Sequence, residues 1–243
     1  MFFIKGLAVK KTKDRGRGVF ATRDIVAGTV IGDYLGKIIR PEEKNEQERG
    51  LYTMWYSDIA LIEADPKQVG IHLINHSCLP NCGIYGLKRH RLYFALRRIF
   101  SGEELTVDYW EEPQDKTCNP CTHECRCGTE FCRGTMHLTQ EKERTVDRYI
   151  ARLDKGTSKK VPVPYGQLLP LLQQYPDSVA DQSIFPLFGY RQKPAIVFKD
   201  IALPSLNFLR EQIRSSGRRL VFPKLQLQVE GIIDNRVIVS RLH

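Results

Sequence analysis

The chain has 243 residues, 42% hydrophobic and 27% charged, with a formal net charge of +9. This is ordinary composition for a globular protein and gives room for one large domain, or a domain with a smaller companion. No apolar run approaches the ~20 residues of a membrane helix, so a membrane partner is not expected.

The opening stretch, residues 1–11, is too short for a secretory signal. Lys5 interrupts it, and it reads better as a first strand. A cytoplasmic or nuclear location is the default expectation, with secretion by a route lacking a cleaved signal as the alternative. Of the net charge, +2 falls on residues 1–139 and +7 on residues 140–243. A basic C-terminal surface suits nucleic acid or an acidic partner, and a solvated basic face accounts for it equally well.

Residues 2–10 read as a strand. Asp14-Arg15-Gly16-Arg17-Gly18-Val19 follows, with two glycines that permit a tight turn and close approach to a ligand. No third glycine opens a helix after them, which disfavours a dinucleotide-binding unit. Residues 25–39 read as a turn, a strand, a glycine bend and another strand. Residues 41–50 are charged and read as a short helix or exposed loop. Residues 51–63 read as two strands joined near Ser57-Asp58, with Tyr52, Trp55 and Tyr56 placed to line a cleft or fill a core.

The densest polar chemistry lies in Leu73-Ile74-Asn75-His76-Ser77-Cys78-Leu79-Pro80-Asn81-Cys82. Two apolar residues lead into an amide, an imidazole, a hydroxyl and thiols, as expected of a strand end that enters a site. Residues 92–96 and 105–110 read as further strands, separated by a turn at Ser101-Gly102. Glu103 and Glu104 read as a solvated turn rather than as catalytic carboxylates. Many short strands with little helix indicate a mostly β, α+β fold built of small sheets.

Five of the seven cysteines fall within residues 118–132. An odd, clustered set without a secretory signal favours metal over disulfides. Cys125, Cys127 and Cys132 supply three ligands of a tetrahedral zinc site, and Cys78 is the natural fourth. Cys118 and Cys121 form a C-x2-C pair that competes for that role. Beyond residue 139, residues 141–155 read as a helix ended by Gly156. Residues 156–164 read as a linker. A helix capped by Ser205 and followed by Gly217 comes next. Last is a hairpin, with Leu225, Leu227 and Val229 on one strand, Val237 and Val239 on the other, and Asp234-Asn235 at the turn.

Taken together, these segments resemble the SET-domain lysine methyltransferases. Four motifs occur in that family's order over residues 3–136: Arg15 to Val19, Tyr34-Leu35-Gly36, Asn75 to Cys82, and Gly102 to Tyr109. Cys125 through Gly134 resembles the family's post-SET zinc segment. The resemblance implies a SET-domain fold of small sheets around a pseudoknot over residues 1–116. It also implies a post-SET segment at 117–137; residues 138–243, beyond the resemblance, read as a C-terminal accessory region, a small α/β extension.

The resemblance further implies S-adenosyl-L-methionine as methyl donor, held by Arg15, Gly16, Arg17, Gly18, Asn75, His76 and Tyr109. Tyr109 would be the active-site tyrosine and Tyr34 would shape the lysine channel. Cys78, Cys125, Cys127 and Cys132 would hold Zn2+. The substrate would be a lysine-bearing protein, a histone or another basic protein. Val107 stands where many members carry Phe or Tyr, a position tied to how many methyl groups fit, and Tyr85 is a neighbour able to refill the space. The alternatives are a catalytically inactive SET-like zinc scaffold and a chromatin- or nucleic-acid-binding protein.

Overall fold

A computed structural model describes residues 1–44, 52–115, 118–129, 132–153, 162–179, 181, 184, 204–216, 220–223, 227–233 and 236–241. Strands β1 (Leu7–Lys11) and β2 (Arg17–Ala21) form a hairpin, closed where the Thr12 amide donates to the Gly16 carbonyl at 2.7 Å. Next come β3 (Val30–Asp33), β4 (Lys37–Ile39), a 3-10 turn at Pro41–Glu43, β5 (Thr53–Ser57) and β6 (Ala60–Glu63). The charged stretch from residue 45 to residue 50 lies outside the described residues. The chain then runs through β7 (Asn75–His76), β8 (Cys82–Leu87), β9 (His90–Ala95) and β10 (Thr106–Val107).

Sheet order follows burial. Every residue of β9 is buried, and β9 is the central strand of the sheet β3-β9-β8. A second antiparallel sheet has the order β4-β6-β5. Strands β7 and β10 pair in parallel, Asn75 opposite Thr106 and His76 opposite Val107. Two strands cannot lie parallel without a long crossover between them; here it is the whole β8–β9 hairpin and the chain to residue 105. The knot-like crossing implied by the resemblance rests on this pair.

The strand expected over residues 105–110 is shorter than its sequence suggests. After Val107 the backbone amides leave the ladder for side chains. Tyr109 N donates to His76 Nδ1 at 3.2 Å, and Trp110, at φ +55°, donates its amide to Asp108 Oδ1 at 3.4 Å. The solvated turn expected at Glu103 and Glu104 is also corrected. Glu103 is 1% exposed and pairs with buried Arg97 at 2.9 Å. Glu104 receives Arg15 at 2.7 Å.

Helix α1 (Gln140–Leu153) begins where the Thr139 hydroxyl accepts the Lys142 amide at 3.2 Å. It buries Val146 and Tyr149 in the large core, and the Tyr149 hydroxyl donates to the Ile84 carbonyl at 3.0 Å. Gly156 and the expected linker up to residue 161 lie outside the described residues. From residue 162 the chain returns to the same core. Ile38 N donates to Gln167 O, Leu169 N to Gly36 O and Val179 N to Gly28 O, at 2.8–2.9 Å.

A second, smaller core contains Leu209, Ile213, Leu227, Val229, Ile232 and Val239. It joins α2 (Leu206–Ser216), whose Phe208 amide is capped by Ser205 Oγ at 3.3 Å, to a sheet of β11 (Val221–Phe222), β12 (Leu227–Ile233) and β13 (Arg236–Arg241). The expected hairpin is β12–β13; its turn, Asp234-Asn235, together with Gly217 and Leu225, lies outside the described residues. The region grouped from sequence as 138–243 therefore divides between two cores. Among the described residues, no helix is long and apolar enough to cross a membrane.

Candidate active site and thiol clusters

The site is assembled around the β7–β10 pair. Ser77 N extends the ladder to Val107 O at 2.9 Å, which brings Asn75, His76 and Tyr109 to one place. The His76 and Tyr109 rings meet edge to face at 5.4 Å, and the Tyr109 hydroxyl donates to the Ile74 carbonyl at 3.2 Å. Asn81 straps the crossing from below: its amide nitrogen donates to Glu104 O and its amide oxygen accepts Thr106 N, both at 2.8 Å. Val107, the register partner of His76, is fully buried.

The β1–β2 turn docks against this strap. Gly16 sits at φ +71°, a left-handed conformation that glycine adopts without steric cost. The turn delivers Arg15 to Glu104 at 2.7 Å and to the His76 carbonyl at 3.4 Å. Asn75 Nδ2 donates to Arg17 O at 3.0 Å and to Glu104 Oε1 at 2.8 Å. At Gly18 a Cβ would lie 2.5 Å from Glu104 Oε1 and 3.0 Å from Asn75 Nδ2, so any side chain there would displace the groups that hold the turn. Arg15, Gly16, Arg17, Tyr34, Asn75, His76 and Tyr109 all line a single cavity of about 1540 Å³. Gly18 does not line it; it packs behind, against Glu104 and Asn75.

Burial raises the Tyr109 phenol above its ordinary range, and nearby Glu111 pushes it the same way. Burial likewise raises Tyr34, which stands 6.3 Å from the Tyr93 ring. Both phenols are therefore protonated at neutral pH, able to donate a hydrogen bond and poorly suited to remove a proton. Desolvation holds His76 below its usual pKa despite Asp108 nearby. Asp108 is held from the far side by Arg133, which reaches both carboxylate oxygens at 3.0 Å. Trp55 stacks on Trp110 at 6.0 Å and continues the aromatic wall.

Cys78, Cys125, Cys127 and Cys132 converge as the sequence suggests, with their four sulfurs within 4.8 Å of one another. Cys78 and Cys125 are 3.6 Å apart, near the ~3.8 Å sulfur–sulfur edge of a tetrahedral zinc with Zn–S bonds of about 2.3 Å. The Cys78 thiol hydrogen-bonds Cys127 and lowers it to about 3, while Cys78 itself is raised; burial pushes Cys125 up to about 12. Four thiols packed this closely fit a soft metal that replaces their protons. Cys118 and Cys121 are not in this set; they meet His123 and His137 instead.

Several residues of the site escaped sequence reading. Glu104 receives both Arg15 and Asn75, and Asp108 and Arg133 join the site to the cysteine segment. The alternation that buries Glu103, Leu105 and Val107 was the available signal that this turn faces inward. Nothing local marks Arg133, whose partner lies 25 residues away.

Residues 16–110 match the model of the SET domain. The chain is 37% identical over 139 residues to the histone-lysine N-methyltransferase trithorax of Drosophila virilis, a match covering 52% of this chain and 4% of that protein. It is 35% identical over 141 residues to the human histone-lysine N-methyltransferase 2B, covering 53% and 5%. It is 31% identical over 163 residues to the histone H3-lysine(4) N-trimethyltransferase ATX1 of Arabidopsis thaliana, covering 62% and 15%. The chain thus matches a small part of the length of these relatives.

Proposed function

Residues 16–110 are a SET domain of the kind found in lysine methyltransferases, and from that premise we propose that the protein transfers a methyl group from S-adenosyl-L-methionine to the Nε of a protein lysine. The observation that carries the reading is the convergence of Arg15, Gly16, Arg17, Asn75, His76, Tyr109 and Tyr34 on one cavity. Its volume, about 1540 Å³, exceeds the ~300–1,000 Å³ of a single drug-sized ligand and suits a cofactor together with an inserted side chain.

The methyl donor supplies an electrophilic carbon on a sulfonium, whose leaving group departs neutral. The protein's share is positioning and desolvation. Arg15 and Arg17 line the cavity and would offer guanidinium donors to the donor's carboxylate, and the β7 segment with Gly16 would offer peptide groups to its polar parts. Tyr34, Tyr93 and Tyr109 line the same cavity and would wall the lysine stem. A lysine amine has a pKa of about 10.4 in water. Desolvation between aromatic walls lowers it and favours the neutral nucleophile. The Tyr109 hydroxyl, kept protonated by burial, orients rather than removes protons.

Cys78, Cys125, Cys127 and Cys132 would hold a structural Zn2+ that fixes the 125–134 segment against Asp108 through Arg133. The basic residues beyond 140 are the place for an acidic or nucleic-acid partner, whose binding would weaken steeply with salt.

Labelled S-adenosyl-L-methionine incubated with core histones, and with a panel of other lysine-bearing proteins, tests the reading. Label on lysine that is absent with Asn75→Ala is expected. Saturable cofactor binding with no transfer to any protein of the panel would favour an inactive scaffold.

A further inference from the structure

We propose that the chain carries a second zinc centre, built from Cys118, Cys121, His123 and His137 and distinct from the four-cysteine cluster. The four ligand atoms lie within 4.8 Å of one another. Cys118 Sγ is 3.3 Å from His123 Nδ1 and 3.5 Å from His137 Nε2. Cys121 Sγ is 3.9 Å and 3.4 Å from the same two nitrogens. A tetrahedral zinc with Zn–S of about 2.3 Å and Zn–N of about 2.0–2.1 Å sets its sulfur–nitrogen edges near 3.6 Å. All four observed edges scatter around that value.

The imidazoles are prepared for ligation. The two rings stand 4.7 Å apart at 70°, each turning a nitrogen toward the same pair of sulfurs. The other nitrogen of His137, Nδ1, lies 2.5 Å from the Glu112 carbonyl. That contact requires a proton on Nδ1 and leaves the Nε2 lone pair free to bind a metal, the arrangement that orients ligating histidines. Two thiolates and two neutral imidazoles balance the charge of Zn2+, whereas the four-thiolate centre carries a net charge of −2.

Position gives the centre a role. Glu124 and Thr135 bridge the two runs of chain that carry the ligands, with Met136 N donating to His123 O at 2.8 Å and Cys125 N to Gly134 O at 3.1 Å. Cys125 enters the first cluster from this ladder, and His123 and His137 enter the second. His137 also pairs with Glu111, just past Tyr109 and Trp110, and Cys118, His123 and His137 line the large cavity. The second metal would therefore pin residues 118–123 as a wall of that cavity. Its ligands all lie beyond residue 110, outside the part that matches the SET domain, so the centre stands whether or not the methyl-transfer reading does.

Elemental analysis of the purified full chain tests it. Two zincs per chain are expected, with one lost in Cys118→Ser/Cys121→Ser and the other in Cys125→Ser/Cys127→Ser. X-ray absorption on the unmodified protein guards against variants that fail to fold. Two centres average to three sulfurs and one nitrogen per zinc, while the four-cysteine centre alone gives four sulfurs. In the cobalt-substituted protein, the Cys118→Ser/Cys121→Ser change should remove about a third of the thiolate charge-transfer absorbance, two of six thiolates. One zinc per chain with purely sulfur ligation would overturn the proposal. So would a Cys118–Cys121 disulfide in place of metal.

Discussion

Two regions meet at the large cavity, and they hold their shape by different means. The crossing of residues 74–82 with 103–110 is closed by the protein itself: a parallel strand pair, the Asn81 strap, Glu104 between Arg15 and Asn75, and Glu103 on Arg97. The cysteine segment, residues 118–137, has no described helix or strand longer than an isolated bridge. Its side chains converge instead on two four-ligand points. A region that satisfies its own polar groups is ready to bind; one whose strongest donors point at a common centre is finished only when metal arrives.

Metal removal is the sharpest way to break that contrast. Apparent zinc affinities of structural sites amount to about 10–16 kcal/mol at neutral pH, so the segment should not keep its shape without metal. Chelation, or Cys125→Ser, should expose the amides of residues 118–137 to rapid hydrogen exchange while β8 and β9 stay protected. Methyl transfer should be lost along with that protection. A metal-free segment that remained protected would show that packing, not coordination, organises it.

The complementary test strikes the self-sufficient region. Arg97 and Glu103 are each 2% exposed at the side chain and pair at 2.9 Å. Glu103→Gln leaves a buried guanidinium without its counter-charge and should cost about 3–5 kcal/mol, read from denaturant unfolding. Adding Arg97→Met should recover part of the loss. Zinc content per folded chain should not change, since neither residue belongs to either four-ligand cluster.

How legible these regions were in the sequence follows from how local their signals are. Some hairpins and helices announced themselves: β5–β6 by two apolar strands joined near Ser57-Asp58, α1 by Val146, Tyr149 and Ile150 at helical spacing, and α2 by Ser205 at its start. Three cysteines of the first cluster were legible because thiols at short spacing have few other uses without disulfides; Cys78, 47 residues from Cys125, was set apart from Cys118 and Cys121 only by the family resemblance. His123 and His137 were not, because a single histidine carries no spacing signal until the fold brings it to a pair of cysteines. Glu103 and Glu104 were misread because a Gly-Glu-Glu run looks like any exposed turn; their partners, Arg97, Arg15 and Asn75, are supplied by tertiary structure. The return of residues 162–179 to the large core was hidden in the same way, since its backbone bonds to residues 28–38 depend on no side-chain pattern.

A smaller effect separates positioning from acid–base chemistry within the cavity. Tyr109→Phe removes the donor to the Ile74 carbonyl and leaves the ring against His76. Loss of the aligned geometry should lower the rate of methyl transfer about 10²-fold, with a smaller loss of cofactor affinity because the ring stays in place. Burial raises the phenol pKa, so the neutral hydroxyl persists at every pH below its ordinary value near 10. The pH profiles of wild type and variant should therefore run parallel between pH 6 and 9. A limb present in the wild type and missing in the variant would make Tyr109 a titrating base.

The mildest change tests the join between the cysteine segment and the helix that follows it. Thr139 lies two residues past His137, and its hydroxyl caps α1 through the Lys142 amide. Thr139→Ala should cost about 1 kcal/mol, the usual loss of an N-cap, seen as a small fall in the unfolding midpoint. If coordination holds residues 118–137, that loss stays in the helix and zinc content remains at its wild-type value. A fall in zinc content of the same folded variant would mean that α1, docked through Tyr149 on the Ile84 carbonyl, sets the position of His137. The segment would then take its shape from the same packing as the rest of the core, and the contrast between the two regions would fail.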